Sequence, residues 1–204
     1  MFLTVTSTAP DATDLGFLLA KHPDRVQQFE LPFGTAHVFY PEATAERCTV
    51  AVLVEVDAIE LARGRRFRGD RATLGAYVND RPYAASSMLA VTLGRLFNTA
   101  MKGTCAARPE LVGVPLPLEV HVPAVSTAQG PALVERLFAP LGWHVDAAPG
   151  GPRHVDLTLR GSFTVREALN HLYVLLPVLD GSKHYWTTDE EEEKLERAGA
   201  GWLD

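Results

Sequence analysis

The chain has 204 residues, 47% of them hydrophobic and 22% charged, with a formal net charge of −6. That length and apolar content allow one large domain or two small lobes with buried cores. The negative balance excludes a protein that holds nucleic acid mainly by overall charge, leaving only a local basic patch for that role.

The first residues, MFLTVTSTAP, lack the basic and long apolar regions of a signal peptide, and no apolar run reaches membrane-spanning length. A cytoplasmic protein is expected. FLTVTS alternates and predicts a strand. TDLGFLLAKHP sets Leu15, Leu18 and Leu19 at helical spacing and stops at Pro23. VQQFEL and TAHVFYP flank Pro32, Phe33 and Gly34 and predict a strand pair. CTVAVLVEV is rich in β-branched residues and predicts a central strand, with Cys48 buried in it. The second cysteine, Cys105, lies in the turn-like GTCAARP. Two cysteines make no disulfide framework, and no Cys-x-x-Cys occurs for a thiolate zinc site.

DAIELARG predicts a short helix leading into RGRRFRGDR, where Arg63, Arg65, Arg66, Arg68 and Arg71 surround Phe67. YVNDRPYAASS follows. SSMLAVTLGRLFNTAMKG is the best helix in the chain by pattern, with Leu89, Leu93, Leu96, Phe97 and Ala100 on one face and Ser86 or Ser87 as its cap. Composition then shifts. The Pro-rich GVPLPLEVHVPAV alternates through Leu118, Val120 and Val122 and predicts an edge strand after a linker. Ser126 with Gln129 offers a capping box before PALVERLFAPLG. WHVDAA and RHVDLTLRGSF flank PGGP and predict a hairpin. Thr164 with Glu167 offers a second box, before a helix that buries Ala168, Leu169, Leu172, Tyr173 and Leu176 and meets Pro177 near its end. Thr188 with Glu191 offers a third, before the acidic helix TDEEEEKLERAG.

The expectation is an α+β fold of two mixed lobes with largely antiparallel sheets and a C-terminal acidic helix. The lobes are residues 1–110 and 111–204, with their boundary near 106–116.

Candidate chemistry is sparse. His144 and Asp146 share a strand face, as do His154 and Asp156, and a hairpin pairing could gather all four around a metal. The competing reading is a wet hairpin face. No Gly-x-Ser-x-Gly or Gly-rich phosphate loop is present, so no catalytic residue is assigned. The arginine loop could touch RNA phosphates or an acidic partner, or be a solvated loop. HVFYPE, NDRPY and KHYW join aromatics to charged groups at the ends of elements, as interfaces do, or as loops braced from within do.

LGFLLAKHPDRVQQFELPFGTAHVFYPEA, YVNDRPYAASS and LYVLLPVLDGSKHYW, in that order, resemble the N-terminal half of bacterial RNA 3′-terminal ribose 2′-O-methyltransferases, the bacterial Hua-enhancer homologues. The resemblance runs from Met1 to Asp204 and implies that this chain is the ligase-associating region. The methyltransferase, its S-adenosylmethionine pocket and its divalent metal site would lie in the other half, leaving no cofactor or metal here. The implied partner is a polynucleotide kinase-phosphatase-ligase, whose RNA ligase the region switches on. The hairpin loop APGGP is shorter than the insertion expected in many relatives, which puts any function of that insertion in doubt.

Candidate partner contacts are therefore Asp80, Arg81, Tyr83, His184, Tyr185 and Trp186, with Pro82 presetting the turn. The alternative is an RNA-binding module that delivers cleaved ends through Arg63, Arg65, Arg66 and Arg68. A third reading is a metal-dependent hydrolase built on His144, Asp146, His154 and Asp156.

Overall fold

A computed structural model describes residues 1–57, 84–127, 129–151, 153–179 and 195–203. Seven strands form one sheet: β1 (Phe2–Ser7), β2 (Gln27–Leu31), β3 (Gly34–Ala43), β4 (Cys48–Val56), β5 (Leu116–Ser126), β6 (His144–Gly151) and β7 (His154–Phe163). Their order is β2-β3-β4-β1-β5-β7-β6. Every neighbouring pair is antiparallel, which confirms the α+β class. The first four strands in sequence make one side of the sheet and the last three make the other. They meet along the β1–β5 ladder, where Val5 stands opposite Val120.

Alternation decides which face is covered. Leu3, Val5, Val38, Val50, Val52, Val120, Leu157 and Leu159 all point one way and are buried. The described helices share a core with them. These include α1 (Asp14–Leu18), α2 (Ala84–Leu96), α3 (Asn98–Met101), α4 (Pro131–Phe138) and α5 (Val165–Val178). The other face carries Thr4, Thr49, Glu119, His121, Thr158 and Arg160. None of the described helices is long and apolar enough to cross a membrane.

Pro32 and Phe33 join β2 to β3, with Leu31 paired to Gly34. Gly34 has φ 152°, and a Cβ there would lie 1.9 Å from the Glu55 carbonyl oxygen, so the turn demands glycine. The Thr164 cap is as expected: its side chain accepts from the Glu167 N–H, and the Glu167 carboxylate accepts from the Thr164 N–H.

Four expectations need correction. The strand β5 is internal, not an edge, because it pairs with both β1 and β7. It tolerates its prolines because Pro123 falls in a bulge between Val122 and Val125, where Ala124 takes φ 57°, and Pro117 lies beyond the end of the β1 ladder. Ser126 ends β5 instead of capping a helix; α4 starts after Gly130 with Pro131 in its first turn and no side-chain cap. Ser86 and Ser87 lie inside α2, which already begins at Ala84 in the described chain. The long helix also breaks at Phe97 (φ −118°, ψ 22°), whose ring is wholly buried, before α3 resumes.

Residues 58–64 of the expected short helix, the arginine loop and the Thr188 capping box lie outside the described residues. Of the acidic helix, only 195–199 are described, and they are helical.

Candidate binding surfaces

The residues singled out as contacts fall in two stretches. Asp80, Arg81 and Tyr83, with Arg63, Arg65, Arg66 and Arg68, belong to 58–83. His184, Tyr185 and Trp186 belong to 180–194. All lie outside the described residues. What is described is where these stretches join the fold. A Cβ on Gly94 would sit 3.1 Å from the Tyr173 ring, and one on Gly103 would sit 3.0 Å from Arg166. Numbers rise along α2–α3 as they fall along α5, so the helices run antiparallel. Ala84 and Leu179 therefore lie at the same end of this helix pair.

Beside that pair is a cleft of about 900 Å³. Its walls come from α2, α3 and the residue that ends α3 (Gly94, Arg95, Asn98, Lys102), from α5 (Arg166, Asn170, Tyr173), from the edge strand β2 (Phe29, Glu30) and from the C-terminal segment (Arg197, Ala198). Helical spacing explains the selection. Arg166, Asn170 and Tyr173 stand four and three apart in α5 and form a stripe, whereas Arg95 and Lys102 lie on either side of the break at Phe97. The described lining holds four cations and one carboxylate. Arg95, Lys102 and Arg166 form no ion pair among the described residues. Asn170 is buried, and its amide makes no hydrogen bond among them.

An aromatic cluster fixes the C-terminal turn to α5. The Trp143 indole N–H donates to His171 Nδ1 at 3.1 Å, which places the imidazole proton on Nε2. Phe163 stacks on Trp143 at 4.1 Å, and Trp202 meets His171 edge-on at 4.7 Å. Trp202 also donates to the Ala198 carbonyl at 2.8 Å. This brings Arg197 to the cleft wall. Burial lowers the pKa of His171, and Glu167, one turn away, partly opposes that shift. Near the other wall, Lys21 lies over the rings of Phe29 and Phe97 at 5.2 and 5.4 Å, and burial lowers its pKa.

The open face of the sheet is a lattice of charge pairs. Arg47 contacts Glu42 at 3.3 Å and Glu119 at 3.5 Å, and Glu119 also accepts from Arg160 at 2.7 Å. His121 meets Asp156 at 2.6 Å, and His37 meets Glu55 at 3.2 Å. The proposed histidine–aspartate quartet is not gathered. The register sets His144 opposite Arg160, Asp146 opposite Thr158 and Asp156 opposite Ala148. Asp156 takes His121 of β5 as its partner instead. No group of three His, Cys, Asp or Glu among the described residues is placed to hold a metal. Both cysteines are free and buried, and burial, then Glu42, pushes the Cys48 thiol up to about 11.

Tyr40, of the HVFYPE cluster, braces the fold from within. With Pro41 it occupies a bulge in β3, and its hydroxyl donates to the Lys21 carbonyl at 3.2 Å. The basic cleft was missed by sequence reasoning because its cations come from four separate segments. The one local signal was the stripe of Arg166, Asn170 and Tyr173.

A family model described as the RNA repair, ligase-Pnkp-associating region of Hen1 matches residues 1–204. The search of curated proteins found no match. A chain in a solved structure of the Pnkp1/Rnl/Hen1 complex superposes with a TM-score of 0.60 at 16% identity, over 97% of this chain and 47% of that one. A chain in another, the Pnkp1/Rnl/Hen1 RNA repair complex, gives 0.56 at 15% identity, over 92% and 44%. At such identities the likeness is one of fold, and this chain spans less than half the length of either.

Proposed function

Because this chain belongs to the RNA repair, ligase-Pnkp-associating region of Hen1, we propose that it is a non-catalytic module that binds a kinase-phosphatase-ligase partner and switches on its RNA ligase. The observation that carries the reading is the family match across residues 1–204, whose description joins association with a ligase to RNA repair. The chain is the N-terminal half of its parent protein in this reading. Methyl transfer to the RNA 3′-terminal ribose, with S-adenosylmethionine and a divalent metal, is assigned to the other half. No catalytic step is placed on the residues described here.

Activation by a bound module needs differential affinity. A ligand shifts an inactive ligase toward its active state only by binding that state more tightly. The contacts assigned to this task are Asp80, Arg81 and Tyr83 with His184, Tyr185 and Trp186. The stretch 58–83 leads into Ala84 and the stretch 180–194 follows Leu179, so one end of each is attached at the shared end of the α2 and α5 pair, which supports treating them as one contact region. Arginine and the aromatics are also the side chains that carry interface energy most often.

The test is the double variant Arg81→Ala, Tyr83→Ala, with circular dichroism confirming the fold. Loss of ligase activation while the fold is retained supports the assignment. Full activation by the double variant rejects this contact surface.

A further inference from the structure

We propose that the basic cleft between α2, α3, α5 and the edge of β2 binds single-stranded RNA. The first argument is charge. The whole chain carries −6, yet four of the five charged residues described in this cleft are cationic: Arg95, Lys102, Arg166 and Arg197 against Glu30. Three of these, Arg95, Lys102 and Arg166, face the cleft without an ion pair among the described residues. Cations crowded into one concavity repel each other, and a polyanion laid between them relieves that repulsion.

The second argument chooses the polyanion. An acidic peptide needs only the cations. The lining of this cleft also includes the buried Asn170 amide, which makes no hydrogen bond among the described residues, and the rings of Phe29 and Tyr173. A buried amide without a partner is costly, by about 1–3 kcal/mol. An amide that can both donate and accept, in one lining with rings and arginines, matches the exposed base edges and phosphates of an unpaired strand. Gly94 serves the same geometry, since it lets the Tyr173 ring lie against the α2 backbone. This site is separate from the arginine loop of 63–71 and does not rest on the ligase contact.

The experiment is fluorescence anisotropy of a short single-stranded oligoribonucleotide titrated with the 204-residue chain at several salt concentrations. Three phosphate contacts predict a slope of log affinity against log salt of about −2, hence roughly twentyfold weakening between about 50 and 200 mM. The double variant Arg95→Gln, Arg166→Gln keeps its circular dichroism spectrum, because both side chains are exposed, and its slope should fall to about −0.7. No binding at low salt, or an unchanged slope in the variant, overturns the proposal. Displacement of the RNA by oligoglutamate at equal charge concentration also overturns it, in favour of an acidic protein segment. RNA binding that fails while ligase activation persists removes this inference and leaves the proposed function standing.

Discussion

The two faces of the sheet are written in alternate residues of the same strands, yet they follow different physics. Leu157 and Leu159 of β7 point into the helix-covered core and are fully buried, whereas Thr158 and Arg160 between and beyond them point to the open face. Under the helices, methyl groups leave water and fill space. On the open face, Glu42, Arg47, Glu119 and Arg160 pair with one another while water competes for each charge. The covered face therefore holds the fold, and the open face is stabilised only weakly by its own pairs.

Adjacent residues test this most sharply. Leu159→Ala should cost about 2–5 kcal/mol, through lost burial and a cavity. Thr158→Ala should stay within about 0.5 kcal/mol. Urea denaturation of both proteins measures the contrast, and equal costs would break it.

A second prediction concerns His171, the one titratable ring buried on the covered side among the described residues. His171 is neutral in the fold, and burial holds its pKa below the ordinary value of 6.5. As pH falls, the unfolded chain takes up the proton first. Stability from this group is intact above about pH 6.5 and declines below it, by at most about 1.4 kcal/mol per pH unit. His171→Gln should remove that part of the slope, so parent and variant curves should converge as the pH drops. Parallel curves would mean that the ring is accessible to protons in the fold.

The smallest effect belongs to the open face. Arg160→Ala should cost no more than about 1 kcal/mol, and that cost should shrink as salt is added. A salt-independent cost of several kcal/mol would show a desolvated network there, and the two faces would then be alike.

The strands were legible in the sequence because alternation and β-branched runs are local. FLTVTS, CTVAVLVEV and HVDLTLRGSF each declare a strand, and Thr164 with Glu167 declares a helix start. What was not legible depended on partners distant in the chain. Proline made β5 look like an edge, but a bulge at Pro123 absorbs it and the strand joins both halves of the sheet. Ser126 carried a capping signal, but the ladder to β7 claimed it, with His154 as its opposite residue. The hairpin was foreseen, but its register separates His144 and Asp146 from Asp156. The cleft needed Arg95, Lys102, Arg166 and Arg197 to converge, and no spacing in the sequence announces that. The partner contacts came from resemblance and composition, and their residues lie outside those described.

The most direct test of the central claim is the joining of a nicked RNA by the cognate ligase subunit, with and without this chain, and with no methyl donor present. Joining only when the chain is added is the result this account predicts. Joining at the same rate without it, while a stable complex still forms, would contradict activation and leave a module that docks without switching the ligase on.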